Sequence, residues 1–124
     1  MATITTNLTC DLKQPVSMHY IPGNMFSGDN GGNTINVYVT SDGSPVTLTE
    51  DVSATVIRSD GTTVALTGDK SSNRAYIILP TAAYAVPGVI TIIIKLSQGT
   101  TVTTIAALMA NVYQTTTATV INNS

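Results

Sequence analysis

Charge is what this sequence lacks most: charged residues make up 10% of its 124 positions, and only five are Lys or Arg. A chain that binds nucleic acid neutralises phosphates with clustered cations. Here Lys13, Arg58, Lys70, Arg74 and Lys95 are scattered and the net charge is −2, so a nucleic-acid partner is not expected. Histidine and cysteine are nearly absent, with one of each, His19 and Cys10. No internal disulfide can form from one cysteine, and zinc, which wants several Cys or His ligands at set spacings, has no ligand set. Cys10 has no cation or helix start nearby in sequence to activate it, and reads as a small, half-buried strand residue. His19, between Met18 and Tyr20, lacks the flanking signature of a nucleophile and its base. The paired carboxylates Glu50 and Asp51 are sequence neighbours that would point to opposite faces of a strand. Asp29, in the run GDNGGN, offers one carboxylate to calcium, which wants several oxygen ligands. No catalytic, cofactor or metal site is therefore expected, and no enzymatic activity.

Long apolar spans and targeting signals are missing too. No stretch approaches the length of a membrane-crossing helix, so no membrane partner is expected. The start MATITTNLTC has neither a basic nor an apolar leader region. Folding in a cytoplasm, or prior loss of a leader, is the expectation. Asn7-Leu8-Thr9 and Asn122-Asn123-Ser124 match the glycosylation pattern, which a chain rich in Asn and Thr produces by chance.

What is present is threonine, the most abundant residue, beside 43% hydrophobic residues. Few Glu and Lys with many β-branched residues argue against surface helices and for an all-β fold. Asn33 to Thr40 alternates, with Ile35, Val37 and Val39 on one face. Val52, Ala54 and Val56 alternate likewise. Asp42-Gly43 and Asp60-Gly61 supply the left-handed backbone of tight turns between such runs. Earlier, Ile4 to Leu12 and Val16 to Ile21 read as strands, with Pro15 ending the first and Pro22-Gly23 turning the second into a loop through Asn33. Pro45 is expected to stop pairing before Val46 to Leu48 resumes an extended course, and Thr67 to Asn73 reads as a polar loop. Thr81 to Val86, between Pro80 and Pro87, can make one helical turn. About eight strands at spacings of about ten residues describe a sandwich or barrel. Residues 1–114 form this domain, and residues 115–124 form a Thr-rich tail or linker.

Arg74 to Tyr113 is the apolar centre of the sequence. Ile90, Ile92, Ile94 and Leu96 lie on one side of a strand that folds back after Ser97-Gln98-Gly99-Thr100. With the turn centred on Gln98-Gly99, the core face also takes Ile105 and Ala107. The opposite face then holds Val89, Thr91, Ile93, Val102, Thr104, Ala106 and Leu108. That face is too apolar for full exposure and too hydroxylated for an ordinary core. It is covered either by the chain's own ends or by other subunits. Val89, Ile93, Val102 and Leu108 are the candidate contacts of a homo-oligomer. A loop one residue longer or shorter would exchange the two faces.

Three short motifs stand in order: D-G-x-P-V-x-L at Asp42 to Leu48, R-x-D-G-T at Arg58 to Thr62, and L-P-x-x-x-Y-x-V-P-G at Leu79 to Gly88. With them the chain from about Thr9 to Val120 resembles the N-terminal domain of phage baseplate upper proteins and related phage fibre proteins, head fibres included. The resemblance implies an immunoglobulin-like β-sandwich that mounts or decorates a virion, assembled in the host cytoplasm, typically as a trimer against capsid or baseplate proteins. In such proteins the Thr-rich exit leads through an Asp-Pro-Gly turn to fibrous and distal regions. Here Thr115 to Ile121 runs instead into Asn-Asn-Ser, which leaves receptor binding without a carrier in these residues. The rival reading is an adhesin-type sandwich module of a bacterial surface, locked by an isopeptide bond such as Lys13 with Asn111.

Overall fold

A computed structural model describes residues 4–16, 18–26 and 33–113. The expected residue 115–124 tail, the glycine-rich run around Asp29, and Asn122 lie outside the described residues. The chain forms an all-β sandwich of two five-stranded sheets. The first sheet contains β1 (Ile4–Asp11), β3 (Asn33–Ser41), β8 (Arg74–Ile78) and β7 (Asp69–Ser71) in that order, with the two-residue β4 (Ser44–Pro45) paired to β3. The second runs β2 (Met18–Phe26), β10 (Thr101–Tyr113), β9 (Gly88–Gln98), β5 (Asp51–Ile57) and β6 (Thr63–Thr67). Both N-terminal strands join parallel: β1 lies along β3 and β2 along β10. The remaining pairs are antiparallel.

The alternating apolar residues meet between the sheets. Ile35, Val37, Val39, Ala75 and Ile77 from the first sheet are buried against Val52, Val56, Ile90, Ile92 and Ile94 from the second. β-Branched side chains have few rotamers to lose on a pleated surface, so they fill this interior at low entropic cost. The expected helical turn is a 3-10 turn, Thr81–Tyr84, whose Ala83 and Tyr84 are fully buried.

The expected turns form where Asp-Gly pairs stand. Asp42 (φ 54°) and Gly43 (φ 84°) both take positive φ, the conformation of a two-residue hairpin between β3 and β4. Pro45 pairs opposite Thr40 rather than ending the pairing. The Asp60-Gly61 turn joins β5 to β6, with Arg58 N–H donating to Thr62 O (2.8 Å) and Gly61 N–H to Arg58 O (2.9 Å). Two other expectations are corrected. Pro22-Gly23 does not end β2, which continues to Phe26 across an irregularity in its pairing with β10. As an edge strand with a bulge, β2 tolerates a residue without an N–H. The polar segment after Thr67 is not a loop throughout, because Asp69–Ser71 forms β7 and pairs with β8 around Ser72 (φ 56°).

The two motifs R-x-D-G-T and L-P-x-x-x-Y-x-V-P-G meet at one corner. Arg58 Nη1 donates to Ala82 O (3.3 Å), and Ser59 Oγ donates to Pro87 O (2.5 Å). Asp60 accepts from both the hydroxyl (2.6 Å) and the N–H (3.0 Å) of Thr62. Gly88 has φ 121°, and a Cβ there would lie 2.6 Å from Ser59 Cβ. Only glycine serves at that position, because both its backbone and the space beside it exclude a side chain.

Gly68 carries the chain from β6 in the second sheet to β7 in the first. A Cβ on it would lie 2.6 Å from Tyr76 O and 2.7 Å from Val52 Cγ1. Gly68→Ala therefore overpacks the crossing and should cost about 1–3 kcal/mol, read as a lowered denaturation midpoint at an unchanged slope. An unchanged midpoint would show that the crossing yields freely.

Candidate interaction surface

The outward faces of the two sheets differ in chemistry. On the first sheet, Asn36 Nδ2 donates to Asn7 Oδ1 (3.0 Å), Arg74 Nη1 donates to Asn36 Oδ1 (3.4 Å), and the Arg74 guanidinium lies 4.5 Å from the Tyr76 ring centroid. Two amides and a guanidinium hold that face together, with the buried Asn36 at their centre.

The second sheet presents two cross-strand rows without charge. Its registers align Met18, Ala107, Ile93, Thr55 and Ala65 in one row. They align Tyr20, Met109, Thr91, Ile57 and Thr63 in the next. Met18 is 50% exposed and Tyr20 is 73% exposed. Val89, Val102 and Tyr113 are also exposed at the margins of this face. Charge enters it only toward the β9–β10 tip, where Lys95 pairs with Thr104 and Asp51 with Ser97. Apolar side chains interleaved with Thr55, Thr91 and Thr63 thus form an uncharged band that crosses every strand of the sheet, and depletion of charge is the composition of an interface core.

Of the four candidate contacts, the structure places three on this face and one inside. Val89 and Val102 are exposed and Ile93 is half-buried at the centre of the band. Leu108 is fully buried, which corrects its expected outward position. The physical reason is the register. Gln98 pairs with Thr101 around a two-residue turn in which Gly99 has φ 61°, and the ladder then shifts by one residue between Thr104 and Ala106. Ile105 and Ala106 both turn inward, and Leu108, Ala110 and Val112 follow them into the core. Ala107, expected inside, and Met109 face outward. Met18, Tyr20, Met109 and Ile57 were not identified from sequence. The alternation of Met18 and Tyr20 with His19 and Ile21 was visible, but not that β2 lies parallel to β10.

Among the described residues, the cysteine and the histidine meet at a cleft of about 250 Å³ between β1 and β2. It brings together Cys10, Asp11 and His19, with Gln14 and Ile105 among its walls. Burial raises the Cys10 thiol pKa, and the neighbouring Asp11 charge raises it further, which is opposite to the requirement of a nucleophile. Asp11 is already engaged: its carboxylate accepts from the N–H groups of Lys13 (2.9 Å), Asp42 (3.0 Å) and Gly43 (2.8 Å) and from the Thr40 hydroxyl (3.0 Å). It ties the end of β1 to the Asp42-Gly43 turn. Lys13 and Asn111, the pair imagined for an isopeptide, are both exposed, whereas the bond's chemistry wants a desolvated lysine beside a buried carboxylate.

Those hydrogen bonds, led by Lys13 and Gly43, lower the Asp11 pKa from 3.8 to about 2. A folded-state pKa below the unfolded value means that the stabilisation is complete above the unfolded pKa and is lost as pH falls through the folded one. Melting temperature should therefore drop between about pH 4 and pH 2 more steeply in the wild type than in Asp11→Asn, measured by circular dichroism. Parallel curves would remove Asp11 from the acid transition.

Comparison with known proteins adds a fold relation. No family profile and no curated protein matches the chain. Among solved structures, the N-terminal domain of phage TP901-1 ORF48 superposes with a TM-score of 0.58 at 9% sequence identity, over 90% of this chain and 99% of that one. At that identity the likeness is one of fold: the chain shares the sandwich of that phage domain over nearly its whole described length.

Proposed function

We propose that this chain is a structural component of a phage virion, a mounting or decoration domain of the fibre, baseplate or head-fibre type. It works by shape and surface, and no step of its action is catalytic. The observation that carries the reading is the fold likeness to a phage TP901-1 domain over 90% of the chain, which agrees with the motif resemblance read from sequence. The apolar band supports the mode of action. A surface that crosses five strands without charge is stabilised when another copy covers it, at about 25 cal/mol per Å² of apolar area removed from water. The partner surfaces are other copies of the chain, with a trimer as the arrangement the resemblance implies, and then capsid or baseplate proteins. Its place is the virion.

An adhesin-type surface module shares the sandwich architecture, but the lysine and asparagine proposed for its lock are solvent-exposed. An intact mass lower by one ammonia than the sequence requires would favour that reading instead.

Ile93→Asp places a charge in the middle of the band and should dissociate the homo-oligomer while leaving a folded monomer, seen by sedimentation and circular dichroism together. Leu108→Ala, in contrast, removes interior packing and should cost about 2–5 kcal/mol of folding stability without changing the oligomeric state. A wild type that stays monomeric at high concentration, with an unfolded Ile93→Asp variant, would assign the band to the fold itself. The virion assignment is tested separately, by locating the chain in purified particles by mass spectrometry and in a density map.

A further inference from the structure

The second sheet ends at β6, Thr63–Thr67, and this edge carries none of the usual guards against pairing with another chain. Among the other edges, β2 contains Pro22 and a register irregularity, β7 is three residues long with Asp69 and Lys70, and β1 ends in Asp11. β6 reads Thr-Val-Ala-Leu-Thr, with no charge, proline or bulge.

Two backbone bonds that bracket β6 fix the phase of its ladder. Arg58 N–H donates to Thr62 O and Gly68 N–H donates to Val52 O, each over 2.8 Å. Mutually bonded pairs in an antiparallel ladder recur at every second residue. Val64 and Leu66 therefore direct their N–H and C=O groups at β5. Thr63, Ala65 and Thr67 direct theirs away from the sheet, where the described residues supply no further strand.

We infer that β6 is a self-complementary edge that pairs antiparallel with β6 of a second copy about a two-fold axis through Ala65. Its sequence is symmetric in every property the pairing uses. Ala65 meets the partner's Ala65, and Thr63 meets the partner's Thr67. These are the residues whose backbone groups point outward, so each pair exchanges both of its N–H···O bonds. Val64 and the partner's Leu66 form the intervening non-bonded pairs, in which side chains approach most closely, and both are apolar. On the outward face threonine hydroxyls meet across the junction. No like charges face each other across the axis. The row that ends at Ala65, from Met18 through Ala107, Ile93 and Thr55, continues into the same row of the partner, so one apolar band spans both copies. This interface is separate from the packing of sheet faces proposed above and does not require it.

The test combines sedimentation over a range of concentrations with amide hydrogen exchange on the full chain. The expected wild type associates, and the amides of Thr63, Ala65 and Thr67 become protected as it does. Ala65→Lys and Ala65→Glu each place like charges opposite one another and should weaken association by about tenfold or more, while an equimolar mixture of the two restores it. Ala65→Pro removes an N–H that serves no intrachain bond, and should give a folded protein that no longer pairs. Should either charged variant fail to fold, Ala65→Pro and the wild-type exchange pattern decide. Association with those three amides unprotected, or a mixture no tighter than its components, overturns the edge pairing and leaves the sheet-face reading standing. Conversely, an Ile93→Asp protein that still associates and still protects Ala65 supports the edge and removes the sheet-face contact. A wild type that never associates overturns both.

Discussion

The pairing of β9 with β10 decides what is inside this sandwich and what is outside. β9 has one clear parity, with Ile90, Ile92, Ile94 and Leu96 buried and the residues between them facing out. β10 does not, because apolar side chains occupy both of its parities from Ile105 to Tyr113. The two-residue turn at Gly99 sets Leu96 opposite Thr103 and Lys95 opposite Thr104. Continued without interruption, that register would place Ala107, Met109 and Asn111 beneath β9 and leave Leu108 and Val112 in water. The additional residue at Ile105 reverses the parity for the rest of the strand. A buried asparagine amide without partners costs a few kcal/mol, and an exposed Leu108 and Val112 forgo about 1.5–3 kcal/mol each, of which burial of Met109 would return one such share, so the balance favours the bulged register. The outer face of β10 is what remains: Ala107 and Met109, then Asn111 and Tyr113.

The same bulge explains what could be read in advance and what could not. Strands with one apolar parity, β3, β5 and β9, announce their faces, and Asp42-Gly43 and Asp60-Gly61 announce their turns by a backbone requirement that few residues meet. In β10 the pattern fits either parity, and a choice between them depends on a one-residue shift that no local residue type marks. Leu108 was misplaced for that reason, and Val89, Ile93 and Val102 were not, because none of them lies beyond the bulge on β10. Met18 and Tyr20 were hidden differently. Their neighbours come from residues 107 and 109, and a parallel pairing over that separation leaves no trace in a window of sequence. The Asp11 carboxylate belongs to the same class, since Thr40, Asp42 and Gly43 are brought to it only by the parallel alignment of β1 with β3.

A chain with so few charges has to settle the solubility of its two outer faces by other means. The first sheet does so with a polar network in which the buried Asn36 amide is satisfied by the exposed Asn7 and the half-buried Arg74. Among the described residues, the two central rows of the second sheet carry no charge and no such network. The fully buried residues come from the inward parities of both sheets, from Leu79 and from the 3-10 turn, so this outer face lies outside the core. Its half-buried members, Ile57, Ile93, Ala107 and Met109, gain from cross-strand neighbours within the sheet, whereas Met18, Tyr20, Val89 and Val102 stay largely in water in the single chain.

The residues that carry the phage resemblance lie elsewhere. Arg58, Ser59 and Gly88 join the β5–β6 turn to the corner before β9, and Asp42 and Gly43 shape the turn that Asp11 secures. Each is explained by hydrogen bonding, positive φ or close approach, and none lies in the two apolar rows. Such positions hold the backbone of this chain in place whatever its faces contact. In the assembly proposed above, the contacts fall to a second and separate set of groups, the side chains of the β2–β10–β9–β5–β6 outer face and the outward backbone groups of β6. Changing Ile93 or Ala65 therefore questions the assembly, whereas changing Gly68 or Leu108 questions the fold.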